Sequence, residues 1–393
     1  MRAVHKILHS LDGGLTSMHA ARKGALFAAV AALVQDSKVP LTALGRAMTP
    51  AGGKQKHGIK RSDRLLGNEA LHVEVPDVYR AVSALIVNPS QRPIILVDWS
   101  EAGDKLCVLS AALAFDGRAI PLWTEAHPLK KLANPVVEGN FLQRLREQLP
   151  VGCLPPIIVT DAGFQVPFFK KVRAMGWDFV GRERGKVYLR AAGDESWISC
   201  HALFARARSK PKDFGQWEVT RSHAYPCRLV MVDKRSRGAR KPVKAPKPRK
   251  IASKRAAKSA REPWVLVTSL STETARQVAN IYKRRMQIEE TFRDKKSHRF
   301  GWSFEDARSR STERVNVLVL LTAMASWVAA LVGLAAEAEN RQFDYQANTT
   351  RKRRVLSVVT LGRLILQRGE FSGGVRDLIA RMRAAIPTVA SLA

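Results

Sequence analysis

The sequence predicts an α/β protein: a mixed sheet flanked by helices, interrupted by a β-rich insertion, with helical regions at both ends. Three observations carry this. Residues 1–87 show only helix-like periodicity. Between residues 90 and 182, short runs of apolar and β-branched residues alternate with helical segments. Over residues 187–262 the pattern loosens into short strands and a basic run, and order returns at Trp264.

The N-terminal helices are predicted over Val4–Leu11, Met18–Gln35, Leu41–Met48, Ile59–Leu66 and Val75–Leu85. The third and fourth flank a turn, Thr49-Pro50-Ala51-Gly52-Gly53, in the manner of a helix-turn-helix. The fourth then carries Lys60, Arg61 and Arg64 towards phosphates or bases. A basic helical bundle without base readout accounts for the same residues, and spacing does not separate the two.

Strands follow over Pro93–Asp98, Lys105–Phe115 and Arg118–Thr124, with the turn Asp116-Gly117 making the last two a hairpin. A helix over Val136–Gln148, a strand Pro155–Thr160, a helix Gln165–Met175 and a strand Trp177–Arg182 complete the regular part. Asp98 and Asp161 then fall at the ends of two apolar strands, where chemistry gathers in open α/β sheets. A lone acid there is ordinarily a turn residue. The insertion offers Val187–Arg190 and Arg228–Val232 as strands. It ends in residues 234–261, with thirteen basic residues and no acid, a run that suits contact with a nucleic-acid backbone. Trp264–Leu270 is a buried strand, and Ser271 is placed to cap the helix that follows. Val315–Ala336 is free of charge over 22 residues, long enough to span a bilayer. Its Asn316, Thr322 and Ser326 favour a helix buried in a large domain, so no membrane is expected. A helix over Val355–Gln367 follows Arg351–Arg354.

Lys and Arg number 66 against 34 acids, a formal charge of +32 and a pI near 10.7. That excess implies a polyanionic partner, most simply nucleic acid, bound less tightly as salt rises. Cys107, Cys153, Cys200 and Cys227 are scattered without a CxxC pair, which points to reduced thiols in a cytoplasmic protein. His5 and His9 lack a third ligand and are read as surface or core histidines.

Within Ile281–Lys296, Tyr282, Arg285, Glu289 and Lys296 fall within roughly a 60° arc if the segment is one helix. A solvated face laced with ion pairs would look similar. One acid among phosphate-binding groups is also what a metal-dependent phosphodiester-cutting site requires. Glu290, the rival acid, leaves the stripe. Asp98, Asp161 and Glu289 together would offer the oxygen ligands that Mg²⁺ or Mn²⁺ prefers, for two ions about 4 Å apart. Trp264 is read either as core or as a platform on which an extruded base stacks.

The spacing Y-x2-R-x3-E-x6-K at Tyr282, Arg285, Glu289 and Lys296 resembles the signature of bacterial insertion-sequence DDE transposases of the insertion sequence four family. GIKRSDRLLGN (58–68), VDWSE (97–101), VTDAGF (159–164), EPWVLVTSL (262–270), KRRMQIEETFRDKK (283–296) and YQANTTRKRRVLS (345–357) are similar to its transposon-ten-like subgroup. The resemblance implies an RNase H-like core carrying Asp98, Asp161 and Glu289 as catalytic metal ligands for two Mg²⁺ ions, with Mn²⁺ substituting. It implies excision through a hairpin on the transposon end, then strand transfer. Tyr282, Arg285 and Lys296 would hold phosphates, Trp264 would stack on a flipped base, and the N-terminal region would grip terminal inverted repeats. The implied partners are those repeats, target DNA and a second copy of the chain on DNA, in a bacterial, nucleoid-associated setting. The expected division is a helical DNA-binding region (1–88), core (89–186), insertion (187–262), core (263–340) and helical C-terminal region (341–393). The alternatives are a catalytically idle, domesticated DNA-binding protein and a structure-specific nuclease.

Overall fold

The computed structural model describes residues 2–35, 38–185, 187–233, 262–298, 301–347, 349–350, 352–371 and 373–392. The basic run 234–261 and Arg351 lie outside the described residues. The chain forms two compact units, Met1–Pro156 with Arg284–Thr388 and Ile157–Lys283 with Val389–Ala393. Both helices and strands are present in each.

In the first unit β1 (Ile94–Glu101), β2 (Leu106–Ala114) and β3 (Ala119–Pro128) form an antiparallel meander that contains the expected hairpin. The β2–β3 turn takes a positive φ of 72° at Gly117, which glycine allows without strain. Strand β1 runs three residues past its expected end, because Trp99, Ser100 and Glu101 pair with Leu109, Val108 and Cys107. Asp98 is therefore inside the strand, opposite Ser110, and not at its end.

The long apolar segment forms the Thr312–Ala338 helix, and 94% of its most apolar window is buried inside the protein. Asn316, Thr322 and Ser326 are hydrogen-bonded there, which offsets the cost of burying them. Asn316 accepts from the Ala126 N–H at 2.7 Å. Thr322 and Ser326 donate to the Val319 and Thr322 carbonyls at 2.9 and 2.8 Å. The helix packs against β3 and against the Ala20–Val34, Glu69–Ile86, Val358–Arg368 and Val375–Ala385 helices. Its crossing with Val358–Arg368 is backbone to backbone. A Cβ on Gly362 would lie 1.8 Å from the Ala329 carbonyl oxygen, and one on Gly333 1.8 Å from that of Val358. Gly362→Leu should therefore force the helices apart and lower stability by about 3 kcal/mol, the upper end of ordinary overpacking. An unchanged urea midpoint would refute the close crossing.

The second unit holds one mixed sheet. β4 (Ile157–Thr160) is parallel to β5 (Asp178–Glu183), connected through the Val166–Ala174 helix. The looser stretch supplies β6 (Tyr188–Ala191), β7 (Ile198–Ser199), β8 (Lys212–Val219) and β9 (Tyr225–Val232). β10 (Trp264–Thr268) pairs antiparallel with both β5 and β9, giving the order β4-β5-β10-β9-β8-β6-β7.

After β10 the helix begins at Ala275, not at Ser271. The cap is Thr274: its hydroxyl accepts from the Gln277 N–H at 3.2 Å, while the Gln277 side chain accepts from the Thr274 N–H at 2.8 Å. This reciprocal T-x-x-Q box satisfies two helix-start donors and outcompetes a lone serine. The helix ends at Lys283, and after a turn at Arg284–Arg285 a separate helix spans Met286–Lys296. Gln287 N–H and Ile288 N–H bond to the Arg284 and Arg285 carbonyls in tight i→i+3 fashion. The single continuous helix read from the sequence is thus two helices, separated at Arg284–Arg285.

Candidate active site

The Met286–Lys296 helix is fixed to the end of the β2–β3 hairpin by side chains that bond to backbone. Gln287 donates to the Phe115 carbonyl at 2.6 Å and accepts from the Phe115 N–H at 3.0 Å. The Thr291 hydroxyl accepts from the Ala119 N–H at 2.9 Å, and Asp294 receives the Arg118 guanidinium at 2.6 Å. Ile288 and Phe292 bury the same face. Neither Gln287 nor Thr291 is marked as a site residue by charge or by the signature spacing. Their signal is a pair of polar residues at i,i+4, each directly preceding a core residue.

With that face buried, Glu289 is left 42% exposed, where it meets Arg285. The Arg285 guanidinium pairs with Glu289 and lies 3.5 Å from the carboxylate of Asp98 on β1. A strand acid and a helix acid thus converge on one cation. Glu290 turns elsewhere, to Arg293 at 2.8 Å and Arg118 at 4.0 Å. Lys296 reaches Glu305 at 3.5 Å. Lys295, its neighbour, is buried.

In the second unit Asp161 follows β4, and its carboxylate accepts from the Gly163 N–H at 2.8 Å, as a turn-forming aspartate does. Tyr282 is 3% exposed. Its ring meets that of half-buried Trp264 edge-to-face, with centroids 4.7 Å apart. Arg182 of β5 lies beside the Tyr282 side chain.

At the N-terminus the Leu41–Ala47 and Gln55–Leu66 helices cross where a Cβ on Gly45 would lie 2.4 Å from the Ile59 Cα. Ser62 donates to the Leu41 carbonyl at 3.0 Å. The second helix starts at Gln55, four residues before its expected start, because Gly58 sits in the crossing and not in a turn. Lys60, Arg61 and Arg64 are exposed on it.

Asp98 and Glu289 supply hard carboxylate oxygens, and a guanidinium already stands between them as a monovalent cation. The donor chemistry fits a hard divalent ion. Among the described residues no group of three or more His, Cys, Asp or Glu is assembled for a metal. All four cysteines are free thiols.

A formal charge of +32 suits a polyanionic partner such as nucleic acid. The family model for the transposase DDE domain matches residues 89–328, and the chain belongs to this family. Membership assigns a transposase function with DNA as substrate, and the mixed α/β architecture fits the RNase H-like fold of such enzymes. No curated protein matches the chain.

Proposed function

We propose that this transposase performs cut-and-paste transposition of an insertion sequence of the transposon-ten-like subgroup. It would cleave at the element ends, release them through a DNA hairpin and join them to target DNA. The observation that carries this is the convergence of Asp98 and Glu289 on Arg285 in a chain of +32. Asp98, Glu289 and, by resemblance, Asp161 would hold two Mg²⁺ ions, with Mn²⁺ substituting. The chemistry supplied by the bound metal is charge neutralisation at phosphorus and activation of water or a 3′-hydroxyl.

The chain's own residues then do the holding. Arg285 can grip a phosphate with two parallel hydrogen bonds, and Lys296 acts as a point charge. Tyr282 serves the same DNA end, and Trp264 stacks on the base extruded as the hairpin forms. Residues 1–88, through Lys60, Arg61 and Arg64, bind the terminal inverted repeats. Residues 89–186 and 263–340 form the catalytic core around the insertion 187–262, whose basic run contacts the DNA backbone, and 341–393 form a helical C-terminal region. Two copies act together on DNA, in the bacterial cytoplasm at the nucleoid.

The test incubates the protein and Mg²⁺ with a DNA fragment bearing the native element ends. Hairpin-ended fragments and joined products are expected. Binding without cutting would indicate the idle DNA-binding protein, and cutting without hairpin or joining would indicate a structure-specific nuclease.

A further inference from the structure

The Met286–Lys296 helix lies against β1, β2 and β3, and its apolar grip through Ile288 and Phe292 has no direction of its own. Direction comes from a second stripe. Gln287, Thr291 and Asp294 stand at i, i+4 and i+7 and meet the β2–β3 turn. The Gln287 amide donates to the Phe115 carbonyl at 2.6 Å and accepts from the Phe115 N–H at 3.0 Å, as a residue of a neighbouring antiparallel strand would. The Thr291 hydroxyl accepts from the Ala119 N–H at 2.9 Å. For its own proton it has the carbonyls of Ala119 and Gln287, each at 3.0 Å. Phe115 and Ala119 flank the turn, and Arg118 within it pairs with Asp294 at 2.6 Å.

Gln287 and Thr291 are 7% and 4% exposed, and Phe115 and Ala119 are buried with them, so water cannot take over these bonds. Such bonds add little net stability, but they accept only a narrow geometry. Here the geometry they fix is that of a carboxylate. Glu289 leaves the helix about 200° round from Gln287, beyond the buried Ile288 and Phe292. A roll of about 20° that loosened the clamp would carry a side-chain tip through about 2 Å. The reference point lies in the same meander: β2 pairs with β1, and Asp98 stands opposite Ser110.

We propose that Gln287 and Thr291 are positioning residues for the reaction: they seat their helix on the turn in one register and one roll, and so set the Glu289 carboxylate beside that of Asp98 to share a divalent ion. Misplacing a reacting group by ~1 Å costs about 10²-fold in rate. This rests on the reading of Asp98 and Glu289 as metal ligands in the proposed function, and adds two residues that act through Glu289.

The probe is Mn²⁺ alone, its binding to the full chain followed by electron paramagnetic resonance. Single-turnover cleavage of end-bearing DNA and a gel-shift titration are measured beside it. Glu289→Gln should bind Mn²⁺ more weakly than wild type. Thr291→Val and Gln287→Met remove the bonds and keep the volume. Each should weaken Mn²⁺ binding and slow cleavage by about tenfold or more, as loss of a group that orients a metal ligand does. End affinity should stay within about twofold of wild type. Thr291→Ser keeps the hydroxyl and should recover most of both signals. Thermal melting checks folding: if one variant does not fold the other decides, and failure of both would make the bonds structural and overturn the inference. Unchanged Mn²⁺ binding, unchanged cleavage or a matching loss of end affinity in the folded variants would each overturn it and leave the proposed function standing. So would a loss in Thr291→Ser as large as that in Thr291→Val. Equal Mn²⁺ binding by wild type and Glu289→Gln would instead remove Glu289 as a metal ligand, and this inference with it.

Discussion

Glu289→Gln is expected to abolish cleavage of end-bearing DNA, with rates down by ~10³-fold or more, as when a single preorganised electrostatic group is removed from an active site. End binding should be retained. Glutamine keeps the shape and the ability to accept from Arg285, and removes only the charge. Glu289 is 42% exposed, so losing its ion pair with Arg285 should change stability by less than about 1 kcal/mol. The loss of activity then reports on chemistry and not on folding. Glu290→Gln is the control, since Glu290 pairs with Arg293 and Arg118. It should cut like wild type. Unchanged cutting by Glu289→Gln, or a larger defect in Glu290→Gln, would remove Glu289 from the site. Single-turnover cleavage, measured beside a gel-shift titration of the same DNA, separates the two steps.

How much of this was legible beforehand depends on how local the signal is. The β2–β3 hairpin was readable because Asp116-Gly117 is a turn by its own chemistry, and the buried helix because its charge-free run is long. Ser271 carries a cap signal by itself, whereas the reciprocal bond between Thr274 and Gln277 needs two residues together. The break at Arg284–Arg285 left no mark in composition: KRRMQ has ordinary helix propensity. The two strand acids read alike in sequence. Asp98 nevertheless lies within its strand, since β1 is extended by pairing with β2, a partner the local run does not reveal. Arg182 was missed for the opposite reason. A charged residue ending the apolar run WDFVGR looks like an exposed edge, and only the fold covers it.

The same blindness to depth applies to Lys295 and Lys296, adjacent and identical in sequence. Lys296 is exposed enough to reach Glu305, while Lys295 is 5% exposed and has no ion pair among the described residues. Burial pushes the Lys295 ammonium down from its ordinary 10.5 to about 8. The unfolded chain therefore binds this proton more tightly than the folded protein does. Above pH 10.5 the side chain is neutral in both states and burial carries no charge penalty. As pH falls towards 8 the unfolded state takes up the proton first and stability declines; below 8 both states are charged and the penalty is complete. The pKa difference corresponds to about 3 kcal/mol at pH 7. Lys295→Met keeps the volume, removes the charge and should gain most of that amount, as replacing a buried charge with a well-packed apolar residue can. Its urea midpoint should rise well above that of wild type at pH 7, and the two should converge as pH approaches 10.5. Parallel curves across that window would mean that Lys295 keeps its charge solvated in the fold. Because Lys296 is untouched, DNA-end binding by Lys295→Met should match wild type; a loss there would instead place Lys295 in the DNA contact.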